Sequence, residues 1–296
     1  MHVYLDCIPC FFNQGLFAAR QVGCSPACQK KLMDAISARV PDISLDRSPP
    51  EIAVDIYSII RDILQVDDPF ESVKKASNEA ALAVYPELVQ RVRDSSDPLL
   101  TAVLVAISGN IIDYGANVHI DLAKEISHIL TKEAKKMTQE DTRLFNLEHL
   151  RASLGSSHEL LYIGDNAGEI VFDRVFIETL LQLYPDLRIR YAVRGRPIIN
   201  DVTLKDAEAV GLDRVCEVVS SGSPAPGAVP ALCTEEFQKL LEQSDIIISK
   251  GQGNYEALSD STYPVFYLLR VKCPVIAADI PAEKGSICLL RKYLGK

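Results

Sequence analysis

From residue 159 onward the chain repeats one pattern: a short, nearly unbroken apolar run, a polar break, then in several cases a helical stretch. The runs are ELLYIGD, LRIRYAVRG, RVCEVVSS, DIIISKG and CPVIAAD, rich in Ile, Val and Tyr. Stretches such as GEIVFDRVFIETLLQLY and TLKDAEAVGL lie between them. A strand that is apolar on both faces must be covered on both faces. Strands alternating with helices therefore indicate an α/β fold with a parallel sheet between two helical layers. Residues 1–155 read differently, with helix signals almost throughout. Ser25 before Pro26 and Ser48 before Pro49 are predicted N-caps, and Asp-Pro pairs at 68–69 and 97–98 separate further helices. The expected division is a helical region over 1–155 and an α/β domain over 156–296.

A parallel strand hands over to its helix at the carboxyl edge of the sheet, where open α/β folds bind ligands. The residues at those edges are polar in a consistent way. ELLYIG ends on Asp165-Asn166, RIRYAVRGRPIIN leads to Asn200-Asp201, and DIIISKG ends on Lys250, followed by Gly251-Gln252-Gly253-Asn254. Carboxylate and amide oxygens are hard ligands suited to Mg²⁺ or Mn²⁺. An ammonium and glycine-rich backbone suit phosphate. Each piece has a plainer reading: Asp165-Asn166 as a helix cap, Asn200-Asp201 as a helix start, Lys250 as a solvated lysine. Their recurrence at successive strand ends favours phosphoryl chemistry. The loop is not a dinucleotide fingerprint, because Glu256 stands at the third glycine position of G-x-G-x-x-G. The net charge of −9 argues against nucleic acid as a partner. No apolar run reaches the length of a membrane span, and the N-terminus lacks the pattern of a signal peptide, so a cytoplasmic protein is expected.

The stretches GDNAGEIVFDR (164–174), RGRPIINDVTLKDA (194–207) and SDIIISKGQGNYEAL (244–258), with DCIPC (6–10) and SGNIIDYG (108–115), resemble the DUF89 proteins. These are the damage-control phosphatases, with ARMT1-like members, and DCIPC points to the cysteine-containing microbial-type subfamily. The resemblance spans nearly the whole chain. It implies a helical N-terminal region packed on a Rossmann-like α/β/α sandwich. It implies a divalent metal (Mg²⁺, Mn²⁺, Co²⁺ or Ni²⁺) held by Asp165, Asn166 and Asp201, and phosphate bound by Lys250 with Asn254 nearby. It implies hydrolysis of phosphate esters of small metabolites. The backbone N–H groups of Gly251 to Gly253 would share the phosphoryl charge. Glu169 and Asp173 are candidates for orienting water or a metal-bound ligand, or are simply a first-turn acid and a helix-surface acid. With no Asp-x-Asp pair at a strand end, direct attack by water is expected rather than a phosphoaspartate intermediate.

Asn110 and Asp113 share a helix face three residues apart, or mark a helix end before Gly115; the resemblance places them on the substrate cleft. Arg194 either touches the substrate or pairs with a surface acid. The eight cysteines are expected as thiols or metal ligands rather than disulfides. Cys7, Cys10, Cys24 and Cys28 are near a structural zinc spacing, or are buried thiols, or hold a redox pair at 7 and 10. Rival functions are an S-adenosylmethionine-dependent carboxyl methyltransferase, disfavoured because no glycine-rich loop follows the first strand, and a non-enzymatic cysteine metal or redox module.

Overall fold

A computed structural model describes residues 1–109 and 143–292. Six described helices precede the sheet: α1 (Cys7–Gln21), α2 (Pro26–Arg39), α3 (Pro49–Leu64), α4 (Glu71–Arg93), α5 (Pro98–Ser108) and α6 (Leu147–Leu154). Their starts follow local chemistry. The Ser25 side chain accepts from the Cys28 N–H with Pro26 in the first turn, Ser48 and Glu51 form a capping box, and the Asp97 side chain accepts from the Leu100 N–H. The apolar stripe Ile52, Ile56, Ile60 of α3 packs on Phe11 and Ala18 of α1 and on Leu32 and Ile36 of α2, a hydrophobic cluster of their own.

The second half alternates as the pattern requires: β1 (Glu159–Ile163), α7 (Glu169–Leu183), β2 (Arg188–Val193), α8 (Leu204–Ala209), β3 (Glu217–Ser220), α9 (Glu235–Gln243), β4 (Ile246–Lys250), α10 (Gly251–Leu258), β5 (Val265–Arg270), α11 (Pro274–Asp279) and β6 (Ile287–Lys292). The six strands run in the order β3-β2-β1-β4-β5-β6, all parallel except β6, which pairs antiparallel with β5. Tyr162 of β1 lies opposite Tyr191 of β2 and Ile248 of β4. Alternate residues of β1 serve opposite layers. Leu160 and Tyr162 join the core with α4, α5 and α7, while Leu161 and Ile163 join Phe237, Leu241 and Leu258 of α9 and α10. From β1 the chain builds outward to β3, then returns to place β4 on the other side of β1. The carboxyl ends of β1 and β4 therefore flank the topological switch point.

One local reading is corrected. CPVIAAD is a helix, not a strand: Pro274 sits in its first turn and the Cys273 sulfur caps it, accepting from the Ile276 N–H at 3.5 Å. The strand at that level is VFYLLR, and the edge strand ICLLRK follows. Among the described residues no helix is long and apolar enough to cross a membrane.

The helical half is tied to the sheet half by charge as well as by apolar packing. Lys74 of α4 is buried, with its ammonium 2.7 Å from Asp68 and 3.0 Å from Asp206 of α8. Removing it strands two carboxylates in a poorly solvated space. Lys74→Met is expected to lower unfolding free energy by about 3 kcal/mol, read as a drop in the urea midpoint. An unchanged midpoint would mean the tie contributes nothing.

Candidate active site

Beyond Ile163 the chain leaves the sheet, and residues 165–167 pair with 200–202 in a short antiparallel ladder. Asn166 and Asp201 are bridge partners. The Val202 N–H donates to the Asp165 carbonyl at 2.9 Å, and the Ala167 N–H donates to the Asn200 carbonyl at 2.9 Å. The ladder brings Asp165, Asn166 and Asp201 together at the switch point. From α4, the Asn78 side-chain oxygen accepts from the Gly168 N–H at 2.7 Å and braces the same loop. Gly251, the first residue of α10, has φ +77°, and a Cβ there would lie 1.9 Å from the Asp165 Oδ2. Only glycine lets the end of β4 come so close to this carboxylate.

The Arg194 guanidinium is fully buried. Its Nε donates to the Asp201 Oδ2 at 2.6 Å, and its Nη2 lies 3.7 Å from the Asp165 Oδ1. Asn166 donates through Nδ2 to the Asp165 Oδ2 at 2.9 Å and to the Glu169 Oε1 at 2.8 Å, which commits its amide nitrogen and turns Oδ1 into the available acceptor. Beneath lies a second layer. The Lys250 Nζ donates to Glu169 Oε2 at 3.2 Å, to Asp173 Oδ1 at 2.7 Å and to the Ala106 carbonyl of α5 at 2.8 Å. The Tyr162 and Tyr191 hydroxyls donate to Asp173 at 2.7 and 2.9 Å.

The electrostatics are strained in one direction. Burial, then the neighbouring charges of Asp201 and Glu169, push the Asp165 carboxyl well above the usual range. Burial raises Asp201 to about 6, although Arg194 pulls the other way. Burial would depress the Lys250 ammonium, but Asp173 and Glu169 more than offset this and hold it up at about 12. The carboxylates Asp165, Asp201, Glu169 and Asp173 thus surround the cations Arg194 and Lys250 with negative charge in excess. Two carboxylates and an amide oxygen suit a hard divalent cation that keeps part of its shell for water and phosphate. Among the described residues no three His, Cys, Asp or Glu side chains converge on a metal position, so the candidate set is this leaner one.

Asp165, Asn166 and Asp201 open on a cleft of ≈ 770 Å³. Gly253 lines it too; a Cβ there would lie 2.0 Å from the Pro226 carbonyl oxygen. The opposite wall is α1 and α3, including Gln14 and Tyr57, and Arg20, Arg270 and Lys272 bring basic charge to the lining. Sequence reasoning did not reach this helical wall. The available signal was the Cys7, Cys10, Gln14, Phe17 stripe, whose i, i+3, i+7 spacing marks one helix face.

Several expectations are corrected. Lys250 does not face the cleft as a phosphate ligand: it is fully buried under the site, where it holds Glu169. Asn254 is also fully buried, donating to the Gly164 and Lys250 carbonyls at 3.0 and 2.7 Å and accepting from the Ala228 N–H at 2.9 Å. Arg194 pairs with acids, but buried ones. Asp173 is buried beneath the loop, not on a helix surface. The four-thiolate zinc reading fails because Cys24 and Cys28 form a disulfide, with Cα atoms 5.8 Å apart across the start of α2. Cys7 and Cys10 are thiols on the cleft wall, and burial pushes Cys7 up to about 11. Asn110 and Asp113 lie outside the described residues.

Comparison with known proteins gives the family and the fold. The damage-control phosphatase ARMT1-like domain matches residues 3–287. A damage-control phosphatase of Archaeoglobus fulgidus is 37% identical over 80% of this chain and 80% of its own. The crystal structure of a DUF89 family protein from Pyrococcus horikoshii superposes with a TM-score of 0.86 at 28% identity, covering 99% of each chain. A 4'-phosphopantetheine phosphatase of Mus musculus is 27% identical over 76% of this chain, but over only 30% of its own length. With a switch-point carboxylate site, a helical wall across the cleft and a match over nearly its whole length, the chain belongs to the damage-control phosphatase ARMT1-like family.

Proposed function

We propose that this protein is a metal-dependent phosphomonoesterase that hydrolyses phosphate esters of small metabolites. The observation that carries the reading is the excess of buried carboxylate at Asp165 and Asp201, beside the Asn166 amide, on a cleft with basic residues in its lining. Relatives with phosphatase names, one acting on 4'-phosphopantetheine, support it. Asp165, Asn166 and Asp201 would hold a divalent cation such as Mg²⁺, Mn²⁺, Co²⁺ or Ni²⁺. Such a cation polarises a phosphoryl oxygen and offsets the charge that builds on it. The chain's own residues do the positioning. Arg194 fixes the Asp201 carboxylate, Glu169 orients Asn166, and Lys250 with Asp173 keeps Glu169 in place. Arg20, Arg270 and Lys272 raise the local concentration of an anionic ester.

The decisive experiment is phosphate release from a panel of esters, using chelator-stripped protein with each divalent cation returned in turn. Activity is expected to vanish on stripping and to return with a hard cation. Asp165→Asn is expected to remain folded and inactive; full turnover by this variant would sink the site. Glu169→Gln, which leaves the first ligands in place, is expected to weaken cation affinity about 10–100-fold in a direct titration. Unaltered affinity would remove Glu169 from the ligand-orienting role.

A further inference from the structure

The wall facing the carboxylate site carries two polar atoms that the protein does not use. The Tyr57 hydroxyl and the Gln14 Oε1 are buried, and among the described residues neither has a hydrogen-bond partner. Both residues line the cleft. Buried polar groups are nearly always paired, because an unmade hydrogen bond forfeits solvation without return. Two orphans on one wall of one cleft point to a ligand that supplies their partners.

Their placement separates two tasks. Tyr57 is 1% exposed and packs with Ile56, Ile60 and Ile198, so the turn that carries Asp201 lies against this face of α3. A phenol is protonated at neutral pH, so its hydroxyl serves as an O–H donor. Gln14 lies on α1, between Cys10 and Phe17 on the cleft-facing stripe, and its amide oxygen is an acceptor only. The cleft is far larger than a phosphate group, which leaves space for a carbon skeleton to run along α1.

We propose that Tyr57 and Gln14 are substrate-binding residues: the Tyr57 hydroxyl donates to an oxygen of the phosphate ester, and the Gln14 Oε1 accepts from a hydroxyl or N–H on its carbon skeleton. The assignment rests on the phosphatase reading above. It makes Gln14 a specificity residue, because a site built to bond a substrate donor discriminates against the analogue that lacks it.

The test uses the cation-loaded full chain with two esters of equal length, a hexitol 6-phosphate and n-hexyl phosphate. Gln14→Met is expected to reduce the preference for the hexitol ester, as a ratio of kcat/KM, about tenfold or more. Tyr57→Phe keeps the packed ring and removes an atom with no protein partner. Its kcat/KM is expected to fall about tenfold or more on both esters, with a Tm no lower than wild type. An unchanged preference in Gln14→Met, or undiminished kcat/KM in Tyr57→Phe, overturns the assignment while wild-type turnover leaves the phosphatase reading standing. A lowered Tm in Tyr57→Phe would mark a structural hydroxyl and also overturn it. No phosphate release by wild type from these two esters or from any ester of the panel would overturn both readings.

Discussion

The fully buried ammonium of Lys250 is the constraint on which the site depends. A lysine in such a place sheds its proton or destabilises the fold unless it is paired on every side. Here its three acceptors come from α5 and α7, so one cation fastens the end of the central strand β4 to two helices. The order imposed there travels upward through Glu169 to Asn166 and from Asn166 to Asp165. A loop that would otherwise be loose is thereby held to the geometry of the core, which is what a ligand-positioning site requires.

The layers divide the labour. The sheet and α7 fix the carboxylates, while α1 to α3, with a hydrophobic cluster of their own, form the opposite wall of the cleft. A site assembled this way can keep its chemistry constant while the helical wall varies in what it admits. That is consistent with a family in which relatives of low identity share the domain but carry different additional sequence.

Much of this was legible in residue order, and what was not has physical reasons. Strands β1 and β4 were readable because they are apolar on both faces, and the polar residues after them were readable because they interrupt that pattern. The direction of Lys250 was harder to see, although strand alternation contains it. Ile248, two residues earlier, faces the α5–α7 layer, so Lys250 faces it as well and turns inward rather than toward the cleft. CPVIAAD misled because an apolar run of that length suits either strand or helix, and Pro274 decides for helix. The Cys24–Cys28 bridge spans the Ser25 cap at the start of α2, and a spacing of four residues does not by itself separate a bridge from a metal pair. The contribution of α1 and α3 is tertiary: no local pattern says which helix face will look across at Asp201.

The excess of carboxylate at the switch point has an evolutionary consequence. Crowding like charges in a poorly solvated space works against the folded state, so neutralising one of them relieves the fold. Asparagine at 165 would be favoured wherever robustness alone is selected, whereas Asp201 is held by its buried pairing with Arg194. Aspartate at 165 is therefore best understood as a burden maintained by use, and relaxed selection should erase it early, while the surrounding sandwich persists as an inert scaffold.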